Sequence, residues 1–273
     1  MNSRVLAPFG RRATRITRRD THGPYVVLSC HDPAGPLPAA GQFYMLAARE
    51  RWGGGDGERP FLPRAFSVLD AEPHPQGVHL RFLFDDVGPG THRLCELEVG
   101  EELLLVGPLG NGFAPPRDGR RPLLVGGGVG IAPLVIWQRA LNFEATALLG
   151  FRDRAHAAGA SLLPRAAVAT DDGSVGHAGL VTELLEAELD RDGDAEVYAC
   201  GPPAMLEAVR VMCAQRELPG QLALESGMAC GFGACFGCVV PTRDGYVRLC
   251  VDGPVLEAAV LEAVGLEAVA SCR

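Results

Sequence analysis

Four cysteines carry the most specific chemistry in this chain. Cys230, Cys235 and Cys238 follow the spacing C-x4-C-x2-C, and Cys250 comes after a hairpin-length gap. Thiolates spaced this way match the plant-type pattern that holds a [2Fe–2S] cluster. Gly231, Gly233 and Gly237 lie among the first three cysteines. A loop that wraps a cluster must turn tightly and aim backbone N–H groups at sulfur, and glycine does so without a Cβ penalty. A structural zinc site with four thiolate ligands is the competing reading. Such sites usually pair two C-x2-C knuckles, and only one such pair exists here.

Five further segments could bind phosphate, flavin or nucleotide. Arg64-Ala65-Phe66-Ser67 offers a guanidinium for a phosphate and a hydroxyl for a ring atom. Gly88-Pro89-Gly90-Thr91 precedes an apparent helix start and could present N–H groups to a pyrophosphate. Gly126-Gly127-Gly128-Val129-Gly130 joins an apolar run to a helical pattern. A bare turn there lets a phosphate approach the helix start, although the pattern is not a clean G-x-G-x-x-G. Cys200-Gly201-Pro202 ends a later strand, where a small thiol suits either a nicotinamide neighbour or simple packing. Asp171 and Asp172 end another strand. Their carboxylates would favour a ribose hydroxyl and repel a 2′-phosphate, or would serve only as a solvated turn.

The elements that must position these groups change texture along the chain. Apolar runs at residues 25–29, 42–46, 78–84 and 102–106, punctuated by Gly and Pro, predict a small antiparallel β-barrel. A Pro/Gly-rich linker follows at 115–121. Strands at 123–125, 145–150, 166–170 and 196–200 then alternate with helical patterns after 130, at 180–189 and at 203–215, which predicts a parallel α/β sheet. Pro133 fits the first turn of the helix after residue 130, and Leu134, Trp137 and Leu141 recur at helical spacing. The expected organisation is a flavin-type barrel at residues 10–116, a nucleotide domain at 117–217 and a cysteine module with its tail at 218–273. The tail from residue 257 reads as an amphipathic helix.

Composition narrows the class. The chain has 273 residues, and 47% of them are hydrophobic, enough for a sizeable core. A net charge of −8 argues against nucleic acid as a partner. The longest uncharged runs, 122–138 and 226–242, are short and broken by Gly and Pro, so no membrane span is expected. Arg11-Arg12 lacks a following apolar region, so it does not read as an export signal. Nine cysteines, four at metal-ligand spacing, fit a reducing cytoplasm.

Taken together, R-x-F-S, G-x-G-T, the glycine-rich turn and C-G-P resemble the ferredoxin–NADP reductase superfamily. The run from Glu225 through Met228, Cys230, Cys235 and Cys238 to Pro241, closed by Cys250-Val251-Asp252-Gly253-Pro254-Val255, resembles more narrowly the electron-transfer subunits of NAD-dependent dihydroorotate dehydrogenases. That resemblance implies FAD held by Arg64, Ala65, Phe66, Ser67, Gly90 and Thr91. It implies NAD at Gly127, Gly128, Gly130, Cys200, Gly201 and Pro202, and a [2Fe–2S] cluster on the four cysteines. It also implies an FMN-containing catalytic subunit as partner, in a heterotetramer of two copies of each, with no nucleic acid and no membrane. Electrons would run from FMN through the cluster and FAD to NAD+ in pyrimidine biosynthesis, and the loop at 230–238 would face the partner. A reductase subunit serving ferredoxin or a hydrogenase is the alternative with the same cofactors. Two departures stand out: Ala65 replaces the Pro usual after the flavin Arg, and Leu256 replaces a usual Phe.

Overall fold

The computed structural model describes residues 4–8, 10–53, 60–142 and 145–262. The N-terminal half consists of β1 (Arg12–His22), β2 (Tyr25–Asp32), β3 (Phe43–Ala48), β4 (Arg64–Ser67), β5 (Asp70–His74), β6 (Gly77–Phe84), the short helix α1 (Pro89–Cys95) and β7 (Glu102–Leu109). These strands form one antiparallel sheet in the order β4-β3-β7-β1-β2-β6-β5. The sheet curls until Phe66 of β4 meets Phe84 of β6, with ring centroids 4.5 Å apart. The expected barrel is therefore a curled sheet. No ladder joins its end strands β4 and β5 among the described residues.

The second half alternates as predicted: β8 (Arg121–Gly127), α2 (Ala132–Ala140), β9 (Thr146–Phe151), α3 (Arg154–Ala157), β10 (Ala167–Thr170), β11 (His177–Ala178), α4 (Val181–Arg191), β12 (Ala195–Cys200) and α5 (Pro203–Gln215). β13 (Gly220–Ala223) pairs in parallel with β12. A hairpin, β14 (Val239–Thr242) and β15 (Gly245–Arg248), follows, and β16 (Val255–Glu257) closes the described chain. The sheet order is β11-β10-β9-β8-β12-β13-β16, parallel except for β16. From β8 the chain moves outward through β9 and β10, then returns to place β12 on the other side of β8. The crevice beyond the carboxyl ends of β8 and β12 is thus a topological switch point, where open α/β sheets bind ligands.

Two features differ from the sequence expectation. The sheet runs through the expected boundary at 217/218, because β13 and β16 extend it. The tail does not begin as a helix: Glu257 ends β16, Ala258–Val260 forms a 3-10 turn, and Leu261 bridges Thr242. Edge pairing of Val255-Leu256-Glu257 with β13, and an ion pair between Arg117 and Glu257, outweigh the helical spacing. The rest of the predicted tail helix, from residue 263, lies outside the described residues. Among the described residues, no helix is long and apolar enough to cross a membrane.

One apolar cluster is continuous between the halves, running from Ile16, Tyr44 and Phe82 to Leu124, Trp137 and Tyr198. A second joins Phe43, Met45 and Leu109 to Cys238, Cys250 and Leu249. Polar contacts tie the halves further. Arg139 of α2 pairs with Asp70 at 2.8 Å, and Tyr198 donates to the Ala114 carbonyl at 3.0 Å. At the far end of the curled sheet, the fully buried Asp32 receives Arg12 Nη2 at 2.7 Å, and the same guanidinium donates to Gly107 O at 2.6 Å. Removing one partner of a buried pair strands the other. Asp32→Ala is expected to cost about 3 kcal/mol in denaturant unfolding; an unchanged midpoint would show that this pair does not anchor the sheet.

Candidate functional site

Strand β4 has two faces with different neighbours. Successive strand residues point to opposite sides. Arg64 and Phe66 share one side. Phe66 packs on Phe84 and into the cluster common to both halves. Arg64 lies against Gly90: a Cβ added there would sit 2.7 Å from Arg64 Nε. Arg64 also donates to Leu62 O at 2.6 Å and stacks over Trp52 at 5.9 Å. Ala65, on the other side, pairs with Met45 and joins the apolar cluster that contains Cys238 and Cys250. The flavin-type motif thus splits: Arg64 and Phe66 lie on the side of Gly90 and Phe84, whereas Ala65 faces the cysteine module. Ser67 ends the strand opposite Phe43 and is half-buried.

The Gly88–Thr91 turn is a compact, internally bonded cap. Thr91 Oγ1 accepts from the N–H groups of Val87 and Gly88, each at 2.9 Å, and donates to Gly88 O at 2.9 Å. Pro89 fills the first helical turn of α1, where a missing N–H costs nothing. The side-chain-free Gly90 leaves room for the Arg64 guanidinium, so a cation and a helix start meet at one point. That combination suits a pyrophosphate.

The two nucleotide-type segments interlock at the switch point. A Cβ on Gly127 would sit 2.7 Å from Pro202 Cδ and 2.8 Å from Met205 Sδ, and one on Gly130 would sit 2.5 Å from Cys200 O. These glycines are small because the Cys200-Gly201-Pro202 turn presses on them. Gly128 differs: it takes φ +54°, and a Cβ there would find only the Tyr25 hydroxyl, at 4.0 Å. Its outer side is open. Two strands away, the turn after β10 is tied to β9 by Asp171 N–H to Phe151 O at 3.0 Å. Asp172 Oδ1 accepts from Ser174 N–H at 3.0 Å. Hydrogen bonds from the Ser174 side chain and backbone hold the exposed Asp172 carboxyl below its ordinary range, so it stays ionised at neutral pH.

The cysteine loop is seated on the back of β3. Gly231, at φ +79°, packs so closely on Met45 and Leu109 that a Cβ would overlap Met45. The four sulfurs form two pairs. Cys238 and Cys250, both buried, have Sγ atoms 3.2 Å apart. Cys230 is hydrogen-bonded to Cys235, the one exposed member. Among the described residues, no three metal-ligating side chains converge on one point. The donor chemistry nonetheless suits a cluster of thiolate-ligated iron. Burial raises the pKa of the Cys230 thiol, but N–H groups of Cys235, Phe232 and Ala234, with the Cys235 thiol, outweigh it and bring it down to about 7. Gly237 N–H points at Cys235 Sγ, 3.5 Å away. Burial, then the neighbouring Cys238 thiol, pushes Cys250 up to about 12, although Gly233 N–H faces it. N–H groups aimed at sulfur stabilise thiolate and tune a bound cluster. Sequence reasoning did not find Met45, Leu109, Met205 or Tyr25. Each acts through a contact distant in sequence, and none carries a local spacing signal.

The fold and these sites define a ferredoxin-reductase-type protein. A solved structure of NADH-dependent reduced ferredoxin–NADP oxidoreductase matches 97% of this chain and 96% of its own with a TM-score of 0.80 and 27% identity. The ferredoxin reductase of carbazole 1,9a-dioxygenase has the same fold, at a TM-score of 0.63 and 23% identity over 77% of this chain and 66% of its own. Residues 225–262 match the iron–sulfur cluster binding domain of dihydroorotate dehydrogenase B. The electron transfer subunit of dihydroorotate dehydrogenase B (NAD+) from Clostridium acetobutylicum is 37% identical over 218 residues, covering 79% of this chain and 82% of the relative. The corresponding subunit of Geobacillus kaustophilus is 40% identical over 212 residues, covering 73% of this chain and 79% of the relative. This chain belongs to the family of dihydroorotate dehydrogenase B electron transfer subunits.

The Thr91 cap gives a direct structural test. Thr91→Val leaves two N–H groups without their acceptor and should lower stability by about 1–2 kcal/mol, read as a lower thermal midpoint. Thr91→Ser, which keeps the hydroxyl, should stay near the parent midpoint; a parent-like midpoint in Thr91→Val would show that the hydroxyl does not hold the turn.

Proposed function

We propose that this protein is the electron-transfer subunit of a dihydroorotate dehydrogenase, linking an FMN-containing catalytic subunit to NAD+ in pyrimidine biosynthesis. The observation that carries this reading is the arrangement of the three sites. The cysteine loop packs on Met45 of β3, Arg64 meets Gly90 on the opposite face of β4, and the glycine turn reaches the flavin half at the Tyr25 hydroxyl. Bound there, FAD exchanges two electrons with NAD as a hydride and single electrons with a [2Fe–2S] cluster.

The chain's own residues then have distinct tasks. Arg64, Gly90 and Thr91 hold the FAD pyrophosphate by charge and by the helix start. Phe66 and Ser67 flank the flavin ring, with Ala65 as the strand's link to the cluster side. Gly127, Gly128 and Gly130 give the nicotinamide dinucleotide a bare surface, and Cys200, Gly201 and Pro202 pack beside it. Cys230, Cys235, Cys238 and Cys250 ligate the cluster. Residues 10–116 serve as the flavin half and 117–217 as the nucleotide half, with 218–273 as the cluster module. The last of these shares the nucleotide sheet through β13 and β16. No acid or base is needed for hydride transfer itself, and dihydroorotate oxidation falls to the partner.

Exposed apolar groups around the cysteine loop support that partner's docking. Phe232 and Phe236 are 63% and 62% exposed beside the exposed Cys235, and Arg248 stacks over Phe236 at 5.5 Å. An electron must leave through this side, so the partner's cofactor has to come close to it. Assembly as a heterotetramer of two copies of each chain follows the same reading. Cysteines kept as free thiolates for a cluster fit a reducing cytoplasm, and the reading puts the protein there.

The defining experiment is co-expression with the FMN subunit. The purified complex should reduce NAD+ with dihydroorotate, whereas this chain alone should reduce dyes with NADH but leave dihydroorotate untouched. Dihydroorotate oxidation by this chain alone would refute the assignment. The ionised Asp172 also predicts NADH over NADPH by on the order of tenfold in kcat/KM, with the ratio narrowing in Asp172→Asn. Equal use of both nucleotides would show that this carboxylate does not read the 2′ position.

A further inference from the structure

The tip of the first hairpin crosses from the flavin half into the nucleotide half. Gly23, at φ +61°, lies so close to Ala155 and Ala158 that any side chain would overlap the Ala155 carbonyl. Next to it, His22 Nδ1 meets Ser161 Oγ at 2.9 Å. Tyr25, the first residue of β2, follows this tip and is 1% exposed. Its ring stands edge-on to His156, with centroids 5.6 Å apart, and fills the space beside Gly159, where a Cβ would sit 2.8 Å from Tyr25 Cε2. The ring is therefore fixed by the 154–161 segment of the other half.

The hydroxyl of that fixed ring is aimed at the glycine turn. It is the sole heavy atom within 4 Å of the Cβ position on Gly128, on the side that the Cys200-Gly201-Pro202 turn does not cover. It makes no hydrogen bond to any described residue. A phenol held this rigidly, with its oxygen on the open side of the turn and no protein partner among the described residues, can donate to a ligand that replaces water there. Burial first, then the nearby Asp85, raises its pKa far above neutral, so the group stays a donor across the physiological range. Ligand atoms that pass over a glycine turn at the switch point are phosphate and ribose oxygens, which accept.

We propose that Tyr25, supplied by the flavin half, is a binding residue for the pyridine dinucleotide, its hydroxyl donating to a phosphate or ribose oxygen lying over Gly128. The inference rests on the nucleotide reading of the glycine turn given above. It gives the barrel a part in binding NAD beyond holding the flavin. The nucleotide would complete its contacts only when the hairpin is docked on the 154–161 segment, so binding depends on the two halves being in register.

Tyr25→Phe removes the hydroxyl and keeps the ring that packs the interface. The test uses the FAD- and iron-loaded protein, with NAD+ binding measured by calorimetry and NADH-dependent dye reduction followed alongside. The expected result is NAD+ affinity weaker by about tenfold, the size of one hydrogen bond to a charged acceptor. KM for NADH should rise while kcat, FAD content, iron content and the thermal midpoint stay as in the parent protein. Unchanged NAD+ affinity in the variant would overturn the proposal, as would loss of FAD in place of NAD+ affinity, which would assign the hydroxyl to the flavin. Failure of the parent protein to bind NAD+ at all would instead overturn the nucleotide reading beneath it.

Discussion

The two-residue period of one short strand governs the arrangement of this molecule. β4 has only four residues, yet its alternation sends Arg64 and Phe66 to one side and Ala65 to the other. Because β3 pairs with β4 in register, Met45 lies beside Ala65 on the back face and carries the cysteine loop. The Arg64–Gly90 contact and the cysteine loop thus lie on opposite faces of this strand pair. A shift of the β3–β4 register by one residue would turn Arg64 toward the cysteine loop and Ala65 toward Gly90. The replacement of a usual Pro by Ala65 keeps the backbone N–H available to this ladder.

The remaining structure holds that layer in relation to a nucleotide. The switch between β8 and β12 brings Gly127 and Gly130 against Cys200 and Pro202, so two segments seventy residues apart in sequence form one bare surface. The first hairpin, Arg139 with Asp70, and Tyr198 with Ala114 fasten this surface to the curled sheet. Three lobes with different ligands therefore share two apolar clusters, and no lobe has a core of its own. Along the chain the flavin-type segments come first, the nucleotide-type segments second and the cysteines last, so folding, not chain order, sets which sites are neighbours.

The candidate site could be proposed from the sequence where its chemistry is local. The four cysteines, the Arg64–Ser67 strand and the Gly88–Thr91 turn declare themselves by spacing, since a ligand set or a cap is built from neighbours in the chain. The β/α alternation was legible for the same reason. The polar, Arg-rich β1 and the Pro-containing β5 were not identified, as their outward faces hide the strand pattern. β13 and β16, at four and three residues, are too short to show a period, and so the sheet's extension past residue 217 was missed. Tyr25, Met45 and Leu109 owe their roles to long-range packing, which no window of sequence displays.

The central claim is that reducing equivalents pass between nucleotide and cluster by way of the flavin. The most direct measurement is low-temperature electron paramagnetic resonance of the purified, cofactor-loaded chain frozen at intervals after mixing with NADH under nitrogen. The account predicts the signal of a reduced [2Fe–2S] cluster, rising with or after bleaching of the flavin and absent when FAD has been stripped. Cluster reduction at the same rate in the FAD-free protein would contradict it.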